Sequence, residues 1–510
     1  MEPPDNVTPN PPDDLDWYAD DSELLEQSTL SDALKDADQR ELLRLPPGDE
    51  AELDVIIELN LLHEGGLKEA HAQFKKLYEP LRDGEPEEVA NTYVACRLSM
   101  REIQQLIRSD EKHVEQRKRA IYRVWPDFPV KALIDRSVAT VKADAARRSY
   151  EATGVDVTWA VIDSGIDANH PHFKHYDTLT GDVESLHHDF TQENSPLTDE
   201  YGHGTHVAGI IAGGLAAGPA YVAQRVASEA DADGGDAQIG TRLDERPVSD
   251  PQRLSGVAPG CKLVSLKVLD KLGTSRSRHI LRALQYIREE VNGHGKLLRV
   301  QGVNLSVGYE FDAQWFACGQ SPLCVEVDRL VKSGVVVVVA AGNTGYGAQS
   351  TEAGRAKTGL TLTINDPGNA ALAITVGATH RDSPHTYGVS YFSSKGPTGD
   401  GRLKPDLVAP GERITSCAAG RRLGPVQKLF EGRHPTQDPH PCLYIDESGT
   451  SMAAPHVSGA IAAFLSIRRE FIGRPEEVKR IFLENATSLG RERYFEGHGM
   501  LDLMRVIQAV

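Results

Sequence analysis

From residue 154 onward, short apolar runs alternate with segments whose apolar residues recur at helical spacing. The runs consist almost entirely of Val, Ile, Leu and Ala, with little alternation between apolar and polar positions. Strands of this kind are buried on both faces, which is typical of a parallel sheet covered by helices. We therefore predict an α/β fold here. The predicted strands are residues 157–162, 262–268, 302–306, 335–340 and 373–376, and the predicted helices are residues 204–212, 278–291, 325–332 and 453–468.

The preceding residues, from about 51 to 136, follow a different pattern. Residues 54–59, 91–98 and 120–125 are predicted strands, and residues 67–81 and 100–108 are predicted helices. The order strand, helix, strand, helix, strand favours a small α+β sandwich of the ferredoxin-like type. A chain of 510 residues is longer than one hydrophobic core usually organises, so we expect this segment to be a separate domain.

Candidate chemistry lies where these elements begin or end. Asp163 follows the predicted strand 157–162, His203 lies between glycines before a small-residue helix, and Ser451 opens an apolar helix. Taken singly, Ser451 is typical of an N-cap and Asn343, after a run of valines, of a turn. Together, the first three supply a hydroxyl nucleophile, an imidazole base and a carboxylate that orients the base. Their order along the chain is that of the subtilisin triad.

Six motifs carry a family resemblance that extends from about residue 154 to the C-terminus. They are AVIDSGID, GHGTHVAGIIAG, NLSVG, VVAAGNTG, YFSSKGPTGDGRLKPDLVAPG and GTSMAAPHVSGAIAA. In this order they resemble the subtilisin-like serine proteases, or subtilases. The resemblance implies a three-layer fold with a mostly parallel sheet and a serine endopeptidase that works through an acyl-enzyme. It implies catalytic roles for Asp163, His203 and Ser451, with the Asn343 side chain and the Ser451 N–H as donors to the oxyanion.

The resemblance also indicates where a peptide substrate binds. Two glycine-containing segments resemble those that flank the first specificity pocket, where an extended peptide would pair by strand addition. A threonine hydroxyl beside the nucleophile would add a further contact. The predicted substrate-binding residues are Ser306, Val307, Gly308, Ala341, Gly342 and Thr450.

The sequence leaves open which substrate side chains the specificity pocket accepts. The base of the pocket depends on residues 363–368, whose alignment the sequence leaves open. Arg276 and Arg278 begin the helix that usually forms the outer pocket wall in this family. Either these arginines let the pocket tolerate acidic substrate residues, or they are ordinary solvated charges at a helix end. The sequence does not decide between the two.

The N-terminal α+β segment resembles a subtilase prodomain, which helps folding and blocks the cleft with its C-terminal end. That resemblance implies an intramolecular inhibitor released by a cut between residues 130 and 152; the alternative is a permanent N-terminal domain. We divide the chain into an acidic, proline-rich disordered tail (1–50), the prodomain-like domain (51–145) and the catalytic domain (146–510). Insertions are expected near residues 216–254, 309–324 and 418–442.

Charge and cysteine content bear on location and partners. Residues 1–54 hold 17 acidic and 3 basic side chains, so −14 of the chain's net charge of −19 is local to the tail. No secretory signal or apolar run of membrane-spanning length is seen, and six cysteines in so long a chain are expected to be free thiols. We expect a cytoplasmic protein without nucleic-acid or membrane partners. If the protein were exported, Cys318 with Cys324 and Cys417 with Cys442 would be the pairs to examine.

Metal chemistry is not expected. His203 and His206 form H-x-x-H near other histidines, but the H-E-x-x-H helix of zinc proteases is missing. Many subtilases bind structural Ca²⁺, so carboxylates in the 216–254 insertion are possible ligands, although their spacing matches no EF-type loop. We predict instead that this insertion is a flexible surface excursion.

Two alternatives to a serine endopeptidase are consistent with parts of the sequence. The first is a catalytically silent binding or regulatory protein with the subtilase fold, which the presence of all four chemical residues disfavours. The second is a nucleotide-binding α/β protein, which the lack of G-x-G-x-x-G after the first strand and of any P-loop motif excludes.

Overall fold

The structure is a computed structural model that describes most of the chain from residue 29 onward. It divides into two compact units, Met1–Ala132 and Leu133–Val510. The residues described are 29–31, 34–42, 45–46, 48–82, 84–112, 115–127, 136–192, 195–215, 220–228, 240–248, 250–312, 317–351, 354–430 and 443–510.

The first unit is a four-stranded antiparallel sheet with two longer helices and a short one. Its strands are β1 (Glu52–Leu59), β2 (Glu87–Ala90), β3 (Tyr93–Ser99) and β4 (Ile121–Pro126), in the order β2-β3-β1-β4. Helix α2 (Gly66–Tyr78) precedes β2, helix α3 (Met100–Glu111) precedes β4, and a short helix α1 (Ala37–Leu42) precedes β1. The predicted α+β ferredoxin-like domain is confirmed. Strand β2, which forms a hairpin with β3, was not predicted.

The boundary of the predicted tail was wrong. Leu30 and Leu34 are buried in the core of the first unit, and the Ser31 N–H donates to the Val124 carbonyl of β4 at 3.0 Å. Arg40 is also buried and donates to the Leu34 carbonyl at 3.0 Å. Apolar residues spaced along an acidic segment therefore pack onto the domain. The rest of the predicted disordered segment, residues 1–28, lies outside the described residues.

The second unit is built on a seven-stranded parallel sheet, as predicted. The order is β15-β14-β11-β10-β5-β9-β6. Its strands are β5 (Thr158–Asp163), β6 (His188–Asp189), β9 (Lys262–Lys267), β10 (Gly302–Leu305), β11 (Val336–Ala340), β14 (Ile374–His380) and β15 (Leu407–Glu412).

Helices cover both faces of this sheet. Those described are α4 (Arg136–Thr140), α5 (Ala143–Tyr150), α6 (His203–Ile211), α7 (Ser277–Tyr286), α8 (Pro322–Lys332), α9 (Pro384–Tyr387), α10 (Gly420–Phe430), α11 (Thr450–Ile467), α12 (Pro475–Glu484), α13 (Arg493–Glu496) and α14 (Leu503–Gln508). Along β11, Val336 and Val338 pack in the cluster with α6 and α11, whereas Val337 and Val339 pack in the cluster with α7 and α8. Because both faces are apolar, the strand has no polar alternation.

Two smaller sheets complete the unit. Strands β12 (Tyr346–Thr351) and β13 (Gly354–Gly359) form a hairpin. Strands β7 (Ala220–Ser228), β8 (Gly240–Val248), β16 (Ile414–Cys417) and β17 (Tyr444–Glu447) form a second sheet in the order β16-β17-β7-β8, which we call the accessory sheet. The prediction that residues 216–254 form a flexible excursion was wrong for β7 and β8. Residues 216–219, 229–239, 249, 313–316 and 431–442, within the expected insertions, lie outside the described residues.

The division between the units falls earlier than the predicted boundary after residue 145. Val141, Ala143 and Ala146 are fully buried in the core of the second unit, and the Leu503 N–H donates to the Val141 carbonyl at 3.1 Å. Helices α4 and α5 therefore belong to the second unit.

Two further sequence predictions concern the cysteines and membrane segments. Among the described residues, Cys96, Cys261, Cys318, Cys324 and Cys417 are free, while Cys442 is not described. Within the described part of the chain, only α11 is long and apolar enough to cross a membrane, and 83% of it is buried inside the protein. Its apolarity is that of a core helix.

Candidate active site

Asp163 and His203 are brought together by the ends of two elements. Asp163 is the last residue of β5, and His203 is the first residue of α6. The His203 Nδ1 lies 2.7 Å from Asp163 Oδ1, and that oxygen also accepts the Ser164 N–H at 2.8 Å. The Asp163 side chain is fully buried, while that of His203 is 13% exposed. Asp163 therefore holds the imidazole through Nδ1, and Nε2 remains available to accept a proton.

A second carboxylate, which sequence reasoning missed, organises the loop before His203. Asp199 is buried and accepts hydrogen bonds from Ser164 Oγ at 2.8 Å and from the Gly202 N–H at 2.7 Å. Its other oxygen accepts the Thr205 N–H at 2.8 Å and the Thr205 hydroxyl at 2.7 Å. Burial raises the pKa of Asp199, and these hydrogen bonds oppose the rise. Only its position four residues before His203 hinted at this role.

Ser451 lies in the first turn of α11, with its hydroxyl held by the neighbouring strand end. Its Oγ donates to the Ser306 carbonyl at 3.1 Å, and Ser306 Oγ donates to the Ser451 carbonyl at 3.0 Å. Among the described residues, no hydrogen bond joins Ser451 Oγ to His203. Catalytic hydrogen bonds of this kind are often long without substrate and tighten when substrate binds.

Asn343 is oriented by the turn that begins α11. Its Oδ1 accepts the Thr450 N–H at 2.9 Å and the Thr450 hydroxyl at 3.1 Å. The Thr450 Oγ1 in turn accepts the Gly342 N–H at 3.1 Å. With the amide oxygen committed, the Asn343 NH₂ group remains as a donor. The Ser451 N–H, in the first helical turn, has no partner four residues back, so both donors are present beside the serine hydroxyl.

These residues lie on a cleft of about 1080 Å³ at the carboxyl ends of the parallel strands. Five predicted substrate-binding residues line it: Ser306, Val307, Gly308, Gly342 and Thr450.

Ala341 does not line the cleft. It is fully buried; its N–H donates to the Val376 carbonyl at 2.9 Å, and its carbonyl accepts the Asn365 N–H at 3.0 Å. Asn365, from the segment whose alignment was open, is itself at the cleft.

The glycines at the cleft allow close approach of backbones. A Cβ on Gly308 would lie 2.3 Å from the Asp366 carbonyl oxygen, and a Cβ on Gly342 would lie 2.6 Å from the Asn365 side chain. Gly342 also has a φ of +110°, which side-chain-bearing residues rarely adopt. Both glycines are therefore required by the shape of the site.

The walls of the cleft include residues outside the predicted site. Tyr201 lies on one side, with its ring centroid 6.3 Å from that of His203. Arg276 lies on another wall, whereas Arg278 does not line the cleft. Glu310 is also on the cleft, after the Ser306 to Gly308 segment.

The neighbouring histidines serve the fold. His170 Nε2 lies 2.9 Å from the Leu443 carbonyl, and His172 Nδ1 lies 3.1 Å from the Tyr444 hydroxyl. His206 Nε2 lies 3.1 Å from the Ile445 carbonyl. All three are buried, which lowers the pKa of His170 to about 4 and the pKa values of His172 and His206 to about 3. Among the described residues, no three His, Cys, Asp or Glu side chains form a group suited to a metal ion.

Comparison with known proteins agrees with this geometry. The serine protease AprX of Bacillus subtilis is 29% identical over 375 residues, which cover 72% of this chain and 69% of AprX. Subtilisin E of Bacillus subtilis is 27% identical over 371 residues, or 73% of this chain and 70% of subtilisin E. Subtilisin of Bacillus pumilus is 27% identical over 371 residues, or 73% of this chain and 98% of that protein. Residues 154–500 match the model of the subtilase family, and the chain therefore belongs to this family of serine endopeptidases.

Proposed function

We propose that the chain cleaves internal peptide bonds with Ser451 as the nucleophile. Ser451 Oγ attacks the scissile carbonyl while His203 Nε2 takes the hydroxyl proton, and His203 then gives that proton to the leaving amine. Asp163 keeps the proton on Nδ1 and stabilises the imidazolium that forms. Water then attacks the acyl-enzyme, with His203 again as the base.

The contact that carries this proposal is the 2.7 Å hydrogen bond between His203 Nδ1 and the buried Asp163 carboxylate. The His203 side chain lines the same cleft as Ser451. A buried carboxylate that meets one imidazole nitrogen fixes the tautomer in which the other nitrogen can accept a proton. Asn343 and the Ser451 N–H then donate to the oxyanion of the tetrahedral intermediate.

The substrate is a protein or peptide bound in extended form. Ser306, Val307 and Gly308 leave the end of β10 along the cleft, and Gly342 with Thr450 lies across from them. An extended peptide would pair with these backbone segments by strand addition, which places its scissile carbonyl beside Ser451.

Control of this activity is assigned to the first unit as an intramolecular inhibitor of the zymogen. Its ferredoxin-like sheet, β2-β3-β1-β4, has the pattern of a subtilase prodomain, and an endopeptidase inside a cell must be restrained. The free thiols of the described cysteines are typical of a reducing compartment, which supports a cytoplasmic location. We assign no nucleic-acid or membrane partner.

No cofactor is needed for this chemistry, and a structural Ca²⁺ ion remains a separate proposal. It is tested by the melting temperature of the Ser451→Ala protein with added Ca²⁺ and with chelator. A melting temperature that is the same in both would remove the ion from the proposal.

The intact masses of the wild type and of Ser451→Ala, after the same incubation, test both the nucleophile and the control. We expect the wild type to lose an N-terminal piece of about the size of the first unit and the variant to remain whole. If both remain whole, the first unit is a permanent domain, and a fluorophosphonate probe then decides whether Ser451 is reactive. A wild type that is neither processed nor labelled would contradict the proposed mechanism.

A further inference from the structure

One wall of the cleft carries an exposed arginine with no ionic partner. Arg276 immediately precedes helix α7, and both Arg276 and Ser277 line the cleft. Along this helix, Arg278 and Arg282 are also exposed. Among the described residues, none of these three arginines lies within 4.0 Å of a carboxylate, whereas Arg82, Arg288 and Arg402 each form an ion pair. The positive charge of Arg276 on this wall is therefore not paired with a carboxylate of the described residues.

An unpaired arginine on a binding cleft gains a partner only when a ligand supplies one. The start of α7 adds to the effect, since no side chain caps it and its first N–H groups favour a negative charge.

The floor beside Arg276 is apolar. Leu269 and Ile280 are buried there, and Leu281 and Val307 complete the surface. An apolar floor with a basic rim fits a side chain that has methylene groups and a terminal carboxylate. Glutamate has two such methylenes and aspartate has one, so the site favours glutamate.

We propose that the cleft selects peptides with a glutamate on the acyl side of the scissile bond, bound through Arg276. The inference rests on the proposed function, because Val307 belongs both to this floor and to the segment expected to pair with the acyl side of the substrate. Glu310, also on the cleft, makes no ion pair with Arg276 among the described residues, so it does not satisfy the arginine.

The experiment uses the processed enzyme and sets of peptides that differ only by Glu, Asp, Gln or Lys at each of the four positions before the scissile bond. The measured quantity is the ratio of kcat/KM for the Glu peptide to that for the Gln peptide. We expect a ratio of about five at one position, with Asp between Glu and Gln, since exposed ion pairs reach about this size. The ratio should approach one at high salt.

Reversing the charge of Arg276, and separately that of Arg278, distinguishes a direct contact between Arg276 and the substrate from a general electrostatic effect of the helix. In Arg276→Glu, the preference at that position should invert, with the Lys peptide cleaved about five times faster than the Glu peptide. Arg278→Glu makes the same charge change on a residue outside the cleft, and we expect it to keep the wild-type preference for Glu.

The outcomes are distinguishable. Cleavage of all peptides at equal rates, or the same loss of preference in Arg278→Glu as in Arg276→Glu, would overturn the assignment of Arg276 and leave the proposed function intact. Failure to cleave any peptide would overturn the proposed function and the selectivity together.

Discussion

At the scale of single residues, the oxygen and the NH₂ group of the Asn343 amide have different roles: the first orients the side chain and the second is proposed to act in catalysis. Its amide oxygen is held by Thr450, and its NH₂ group is the proposed donor to the oxyanion. Loss of one such donor lowers kcat about 10²- to 10³-fold in subtilisin, which is the general example for this effect. We expect the same order for Asn343→Ala, measured as kcat on a neutral peptide.

Asn343→Asp provides the control for that result. The carboxylate keeps an oxygen for the Thr450 N–H but replaces the donor with a negative charge beside the developing oxyanion. We therefore expect Asn343→Asp to be at least as slow as Asn343→Ala. Near-wild-type turnover in Asn343→Asp would show that Asn343 acts only by holding the turn.

Asp199 is predicted to set the position of His203 without touching the substrate. Each of its two oxygens accepts two hydrogen bonds, so the amide of Asp199→Asn must turn its NH₂ group toward two donors. A buried polar group left unsatisfied costs about 1–3 kcal/mol. We expect a lower free energy of unfolding and a lower kcat/KM, while the exposed Asp182→Asn changes neither. Wild-type values for both in Asp199→Asn would contradict this role.

The candidate site residues that the sequence pointed to are those with local signals. Asp163, His203 and Ser451 end or begin elements, and glycines and small residues lie beside them in the sequence. Asp199 escaped notice because its hydrogen bonds with Ser164, Gly202 and Thr205 follow from the folded shape of a loop, which no local pattern predicts. Tyr201 escaped notice because its partner Arg422 is distant in the chain. Ala341 was proposed because the Ala341-Gly342 segment resembles one that flanks the specificity pocket, but its side chain is fully buried and does not line the cleft.

At the scale of elements, the accessory sheet was not predicted because one of its strand pairings joins residues that are far apart in the chain. Strand β7 pairs with β8 nearby but also runs parallel to β17, more than 200 residues later in the chain. Such a pairing leaves little trace in a local hydrophobic pattern, and the charged residues between the strands resemble a flexible loop. The parallel sheet was predictable because each of its central strands is apolar throughout.

Helix α10 connects this sheet to the residues beside the site. Arg422 donates from Nη1 to the Tyr201 carbonyl at 2.9 Å, and its guanidinium lies 4.9 Å from the centroid of the Tyr201 ring. Its Nε lies 3.4 Å from Glu447 Oε1, at the end of β17. Tyr201 is two residues before His203, and Glu447 is four residues before Ser451. Arg422 therefore contacts both of the segments that lead to the proposed base, His203, and the proposed nucleophile, Ser451.

Arg422→Ala is expected to loosen the cleft wall formed by Tyr201. Cation–π contacts and charge-assisted hydrogen bonds are each worth about 1 kcal/mol or more, so kcat/KM should fall about tenfold, mainly through KM. The control is Arg421→Ala, because Arg421 is exposed and meets Glu200 only through its backbone N–H. In Tyr201→Ala, adding Arg422→Ala should change KM little further. An unchanged KM in Arg422→Ala would contradict the assignment.

At the scale of the whole molecule, each unit has hydrophobic clusters of its own: one main cluster in the first unit, and in the second unit a main cluster on each face of the parallel sheet. The fold class of each unit was predictable because the spacing of apolar residues along its sequence matches the strands and helices that bury them. The acidic, proline-rich composition of residues 1–50 favoured a disordered tail, with a docking segment through a short amphipathic helix at residues 24–45 as the alternative. Leu30 and Leu34, within that stretch, pack into the first core, so their positions outweigh the composition averaged over the segment.

The stability of the second unit should depend on four buried histidines. Burial lowers the pKa of His170 and His456 to about 4 and that of His172 and His206 to about 3. Three of them hold the chain at β17, and His456 Nδ1 lies 2.8 Å from the Met452 carbonyl in the helix of Ser451. Since all four are neutral in the fold, the unfolded chain binds more protons once the pH falls below about 6.5.

Stability should therefore fall as the pH is lowered from about 6.5 to 4, because each unit of lowered pKa is worth about 1.4 kcal/mol per group. The measurement is the free energy of unfolding of the second unit by denaturant at several pH values, on Ser451→Ala to prevent self-digestion. His172→Gln keeps a donor and an acceptor but does not titrate, so its stability should depend less steeply on pH. If the free energy of unfolding depends equally on pH in Ser451→Ala with and without His172→Gln, His172 does not contribute to the loss of stability. If it does not change with pH at all, none of the four histidines contributes.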